Sequence, residues 1–131
     1  MIADDDLVIR SLLSATLARD FEVLGTADDA DAAIELAKSS QPDVALVDVD
    51  MPKGGGRHAL HGIIDVAPQT AVVVLSGDES EGLVRELIKD GAVAYCRKGL
   101  DQDALAALLL DAVAVRAKER ARARSAPVPM R

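Results

Sequence analysis

The sequence predicts an α/β fold, five βα units wound into a three-layer sandwich around a parallel sheet. Three observations carry that expectation. Short apolar runs alternate with stretches of helical period; the alternation occurs five times in 131 residues; and cap and turn residues stand between the runs. We take the strand order as 2-1-3-4-5, a common order for sheets with right-handed crossovers.

The first strand is predicted at residues 1–3, shorter than the others, with Asp6 as N-cap of a helix whose apolar face is Ile9, Leu12, Leu13 and Leu17. Residues 21–25 read as the second strand, with Asp28 capping a helix that faces inward through Ala33, Leu36 and Ala37. The third strand, 44–47, leads to Leu60, Ile63, Ile64 and Ala67 at i, i+3, i+4 spacing, closed by Pro68. The fourth, 71–75, is followed by Leu83, Val84, Leu87 and Ile88, with Gly91 as the stop. The fifth, 93–96, precedes Asp101 as cap and the face Leu105, Leu108, Leu109 and Ala112.

Composition excludes several classes of function. Hydrophobic residues make up 50% of the chain and charged residues 28%, a globular balance. No apolar run approaches the roughly 20 residues of a membrane span, and the acidic start Met1-Ile2-Ala3-Asp4-Asp5-Asp6 is unlike a secretory signal. A cytoplasmic location is expected. Cys96 is the single cysteine, which rules out an intrachain disulfide and fits a reducing compartment; it reads as a buried strand residue. The net charge of -7 divides unevenly, with -12 on residues 1–115 and +5 on residues 116–131. An acidic body repels nucleic acid and attracts divalent cations or basic partners. The expected organisation is therefore a body at 1–115 and a basic helical extension with a Pro-containing tail at 116–131, most simply a linker.

A parallel sheet gathers every strand-to-helix loop at its carboxyl edge, where ligands bind. Asp4, Asp5, Asp48, Ser76 and Lys98 fall there. Three carboxylates in one cleft repel and titrate as a set; a hard divalent cation relieves the repulsion, and Mg²⁺ or Mn²⁺ suits carboxylates shared with water and phosphate oxygens. Lys98 adds a point positive charge and Ser76 a hydroxyl donor, so the set suits phosphoryl transfer to Asp48.

These residues, in this order, make the chain resemble a receiver domain of bacterial two-component response regulators, with the CheY-like, flavodoxin-like fold, over residues 1–115. The motifs are Ala3-Asp4-Asp5-Asp6, the run Pro42-Asp43-Val44-Ala45-Leu46-Val47-Asp48-Val49-Asp50-Met51-Pro52, then Leu75-Ser76-Gly77, and Gly91-Ala92-Val93-Ala94-Tyr95-Cys96-Arg97-Lys98. The resemblance implies that Asp48 accepts a phosphoryl group from a sensor histidine kinase or phosphotransfer protein. It implies that Asp5, Asp48 and the Asp50 backbone carbonyl ligate the metal, with Asp4 acting through water, and that Ser76 and Tyr95 form the switch. A protein that phosphorylates and dephosphorylates itself in this way is not a metabolic enzyme. The surface of the fourth helix, fifth strand and fifth helix is then expected to dock a partner or a second copy. Gly99 departs from the proline that usually follows the lysine, and together with Met51-Pro52-Lys53-Gly54-Gly55-Gly56 resembles the subset that drives a helix-turn-helix output domain. Only sixteen residues follow residue 115, so such a domain is not expected within this chain. Asp50 and Asp78 stand where receivers tune hydrolysis of the acyl phosphate.

Two other readings compete. Asp48-Val49-Asp50 resembles the D-x-D nucleophile of haloacid-dehalogenase-type phosphohydrolases, but two βα units precede it and no lid domain fits. A degenerate receiver that only docks partners is compatible with Gly99 and the short first strand. His58 and His61 read as solvent-facing without a role, and Gly54 to Gly56 as a flexible loop, since no phosphate-cradling motif is present.

Overall fold

In a computed structural model, which describes residues 1–77 and 81–125, the chain forms five parallel strands in the order β2-β1-β3-β4-β5 with five helices. In chain order they are β1 Ile2–Ala3, α1 Leu7–Leu17, β2 Thr26–Ala27, α2 Ala30–Ser40, β3 Val44–Asp48, α3 Gly55–Val66, β4 Ala71–Ser76, α4 Glu81–Asp90, β5 Ala94–Arg97 and α5 Gln102–Ser125. Asp78, Pro127 and Pro129 lie outside the described residues.

Alternate strand residues feed two cores. Ala45, Val47, Val72 and Val74 pack against Ala33 and Ala37 of α2, Leu60 and Ile63 of α3, and Leu87 of α4. Leu46, Val73 and Leu75 face the other way, onto Leu17 of α1 and Leu105, Leu109 and Ala112 of α5. Both faces of β3 and β4 are covered, which explains why those strands read as unbroken apolar runs. Two positions assigned to inner helix faces are exposed: Leu12 on α1 and Ile88 on α4. Leu12 joins Leu7 and Val8 in an apolar outer strip on α1, where only Leu17 is fully buried.

The second strand is not where residues 21–25 place it. It is Thr26–Ala27, paired with Ile2 and Ala3. Register is set by the partner, and β1 offers only two residues, so Phe21 and Val23 stay partly buried against the core cluster that holds Ile2, Leu17 and Leu46, without a ladder. The Met1 ammonium is itself enclosed, donating to the Val44 carbonyl at 3.0 Å, and burial lowers its pKa. The cap of α2 also shifts by one residue. Asp29, not Asp28, has extended backbone and accepts from the Ala32 amide at 2.7 Å, and its carboxylate lies 3.6 Å from the Lys53 ammonium.

Gly54 to Gly56 form the entry to α3 rather than a flexible loop. Gly54 at φ 110 is the N-cap, and the Gly56 amide donates to the Val49 carbonyl at 2.8 Å. A Cβ on Gly56 would meet the Val49 Cα at 2.8 Å, against backbone that cannot swing aside. Gly56→Ala is expected to destabilise the protein by about 1–3 kcal/mol, the range for overpacking, read as a lower urea midpoint with an unchanged slope. A midpoint equal to wild type would show that the strand end yields freely.

Helix α5 runs well past the last core residue, Ala112, to Ser125, and Lys118, Arg120, Arg122 and Arg124 are exposed along it. No described helix is long and apolar enough to cross a membrane.

Candidate functional site

Parallel register aligns the strand ends. Asp48 pairs with Leu75 and Ser76 with Arg97, while the Lys98 amide donates to the Ser76 carbonyl at 3.0 Å. Asp4 leaves β1 at the same edge, its amide donating to the Ala27 carbonyl at 3.0 Å. The carboxyl edge therefore gathers Asp4, Asp5, Asp48, Ser76 and Lys98, as the spacing of the motifs predicts.

Asp4 and Asp48 are almost fully buried, at 0% and 1% exposure, whereas Asp5 opens to solvent. One carboxylate oxygen from each of the three comes within 4.8 Å of the others. Asp4 Oδ1 accepts from the Asp6 amide at 2.9 Å, but Asp4 Oδ2 is buried with no hydrogen-bond partner among the described residues. Lys98 Nζ donates to Asp48 Oδ2 at 3.0 Å and lies 4.0 Å from that lone Asp4 oxygen. Asp48 Oδ1 accepts from the Asp50 amide at 3.1 Å.

The electrostatics are unbalanced. Burial raises the Asp48 pKa, and the Lys98 and Asp50 hydrogen bonds oppose it without cancelling it. For Lys98, burial pulls downward, but the hydrogen bond to Asp48 and the fields of Asp48, Asp4 and Asp5 win and raise it. One ammonium thus serves three carboxylates. An unpartnered buried carboxylate oxygen facing two others is a donor set that fits a hard divalent cation, the role expected for Mg²⁺ or Mn²⁺.

Ser76 is buried at the end of β4. Tyr95 on the edge strand β5 is 51% exposed, so it points outward instead of packing into the sheet. Asp50 is exposed, and Gly99 adopts φ +91, which a proline cannot reach. Cys96 is buried, and burial pushes its thiol to about 11, so it is inert.

Sequence reasoning misses two sets of contacts. Arg10 Nη1 donates to the Asp4 carbonyl at 2.8 Å, a contact with no motif to announce it. His58 and His61 are half exposed, yet each meets a carboxylate across a helix interface, Asp31 at 2.9 Å and Asp90 at 3.2 Å. Arg57 adds contacts to Glu86 and Asp90, so α3 is tied to α2 and α4 by solvent-exposed pairs.

The response regulator receiver domain family matches residues 1–110. Among curated relatives, the transcriptional regulatory protein DegU of Brevibacillus brevis is 37% identical over 107 residues, covering 80% of this chain and 45% of that protein. The oxygen regulatory protein NreC of Staphylococcus aureus is 33% identical over 108 residues, covering 80% and 50%. The chain thus spans about half the length of these relatives. Among solved structures, the receiver domain of a NarL regulator from Mycobacterium tuberculosis superposes with TM-score 0.80 at 28% identity, covering 86% of this chain and 93% of that one. Fold, edge chemistry and relatedness agree, and the chain belongs to the receiver domain family of two-component response regulators.

Proposed function

We propose that Asp48 is the phosphoacceptor of this receiver. The observation that carries it is the buried, unpartnered Asp4 oxygen converging with Asp5 and Asp48 opposite the Lys98 ammonium. Asp5, Asp48 and the Asp50 carbonyl would hold Mg²⁺ or Mn²⁺, with Asp4 acting through water. When bound, the metal supplies positive charge that lets a phosphate group approach the carboxylates.

An Asp48 carboxylate oxygen attacks the phosphorus of a phosphohistidine whose ring is protonated on its other nitrogen; the P–O bond forms as the P–N bond breaks, the bonding pair stays on the ring nitrogen, and the imidazole leaves neutral, keeping the proton it already carried. Lys98, held beside Asp48, meets the charge on the transferred group. Ser76 donates its hydroxyl to a phosphoryl oxygen, and its inward movement frees room for Tyr95 to turn from its exposed position. The surface of α4, β5 and α5 then changes shape for a partner or a second copy. This chemistry turns over no free metabolite, so the protein is a self-modifying switch and not a metabolic enzyme.

A donor has somewhere to land. A groove of about 400 Å³ between α1 and the β5–α5 loop is lined by Ile9, Leu12, Leu13, Leu75, Leu100 and Leu105 and reaches Lys98, and Leu7 and Val8 expose apolar surface on the same helix. That supports a sensor histidine kinase or phosphotransfer protein as partner, in the cytoplasm. Residues 1–115 act as the receiver unit and 116–131 as a basic connecting helix and tail; the acidic body binds neither nucleic acid nor membrane.

Intact mass after incubation with a small acyl phosphate and Mg²⁺ tests the acceptor. Wild type is expected to gain one phosphoryl group, and Asp48→Asn or chelated protein none. No gain by folded wild type would leave a docking module; turnover of free phosphate esters would favour a phosphohydrolase.

A further inference from the structure

We propose that Arg10 is a positioning residue for the cation site, acting through the β1–α1 loop. The inference rests on the acidic cluster being a cation site, as argued above. Two of its three carboxylates, Asp4 and Asp5, sit in the short link between Ala3, where β1 ends, and Leu7, where α1 begins. Such a link holds a ligand geometry only if its backbone is fixed at both ends and at the turn.

One end is fixed by the Asp4 amide on the Ala27 carbonyl at 3.0 Å. The other is fixed by Asp6, whose Oδ1 accepts from the Val8 and Ile9 amides at 2.9 and 3.3 Å. The turn is drawn in by the Asp6 amide on Asp4 Oδ1 at 2.9 Å, which aims Asp4 Oδ2 into the cluster. The Asp4 carbonyl faces the other way, and Arg10 reaches back from α1 to donate to it at 2.8 Å. This bond ties the loop to the helix and fixes the peptide plane between Asp4 and Asp5.

Its charge and its geometry predict opposite effects. A cation close to a cation site weakens metal binding by repulsion. A side chain that holds two ligands in register strengthens it. Removing Arg10 therefore separates the roles by sign. Arg10→Gln is expected to weaken divalent cation binding about 10–100-fold, the usual cost of losing a residue that orients metal ligands. Arg10→Lys, which keeps a donor and the charge, is expected to fall between the two.

The measurement is titration of Mn²⁺ against wild type, Arg10→Gln, Arg10→Lys and Asp4→Asn, reading the free ion by electron paramagnetic resonance, with circular dichroism confirming the fold of each. Phosphoryl incorporation as a function of Mg²⁺ supplies the second readout: Arg10→Gln should move the half-saturating concentration and keep the saturated rate within about twofold. Equal or tighter Mn²⁺ binding by Arg10→Gln overturns the proposal, as does a lower saturated rate with unmoved half-saturation. If Arg10→Gln does not fold, Arg10→Lys decides, and a wild-type Mn²⁺ affinity together with a wild-type half-saturation would sink it. Failure of wild type to bind Mn²⁺ at all would instead remove the cation site on which the inference rests.

Discussion

Lys98→Ala is expected to slow phosphoryl acceptance by Asp48 about 10²–10³-fold at saturating Mg²⁺, the usual cost of deleting one preorganised donor to a developing charge. The ammonium sits 3.0 Å from Asp48 Oδ2 and 4.0 Å from Asp4 Oδ2 before any phosphate arrives, so its placement costs no rearrangement at the moment of transfer. Its second role has the opposite consequence for the metal. With Lys98 gone, three carboxylates lose their shared counter-ion, and divalent cations should bind more tightly. The assay therefore compares rates at saturation, where the affinity gain cannot hide the loss. Lys98→Arg should recover part of the rate, since it restores the charge but not the compact point-like ammonium. A saturated rate within threefold of wild type in Lys98→Ala would reduce Lys98 to a counter-ion.

Why the sequence discloses some of this and withholds the rest follows from the range of each interaction. The order of the sheet and the edge that collects Asp4, Asp48, Ser76 and Lys98 depend on chain direction and crossover handedness, both readable from alternating periods. β2 depends instead on its partner: Phe21 and Val23 look like strand residues, but β1 pairs only with Thr26 and Ala27. The choice between Asp28 and Asp29 as cap turns on backbone angles at two adjacent aspartates, which residue type cannot separate. Gly56 reads as a loop residue until its contact with Val49 is seen, a matter of how closely α3 crosses the end of β3. Arg10 is legible as a polar helix residue but not as the donor to Asp4, because that contact depends on where the first turn of α1 sets its side chain. The His58–Asp31 and His61–Asp90 pairs join residues far apart in sequence on helices whose relative rotation is a packing outcome.

The same unbalanced charge makes the acidic cluster a liability to the fold until a cation arrives. Asp48 has a pKa raised mainly by burial, even with Lys98 hydrogen-bonded to it. A carboxylate raised in the folded state binds more protons there than in the unfolded chain, so its contribution to stability is greatest below the unfolded pKa and is lost as pH rises through the folded one. At pH 7 the ionised group therefore works against folding. Metal-free Asp48→Asn should melt above metal-free wild type at pH 7, with the gap closing as pH falls toward the ordinary carboxylate pKa near 4. Adding Mg²⁺ should reverse the order. A ligand at a hundredfold excess over its Kd stabilises the native state by about 2.7 kcal/mol, on the order of 10 °C for a domain of this size. Wild type gains that increment, and Asp48→Asn and Asp4→Asn lose most of it, because each removes a charge from the donor set. Thermal melts of the three proteins with and without Mg²⁺, at pH 7 and pH 4, give the full pattern. If metal-free Asp48→Asn melted below wild type at pH 7, the Lys98 pair would outweigh burial, and the cluster would be a stabilising ion pair instead of a strained site waiting for a cation.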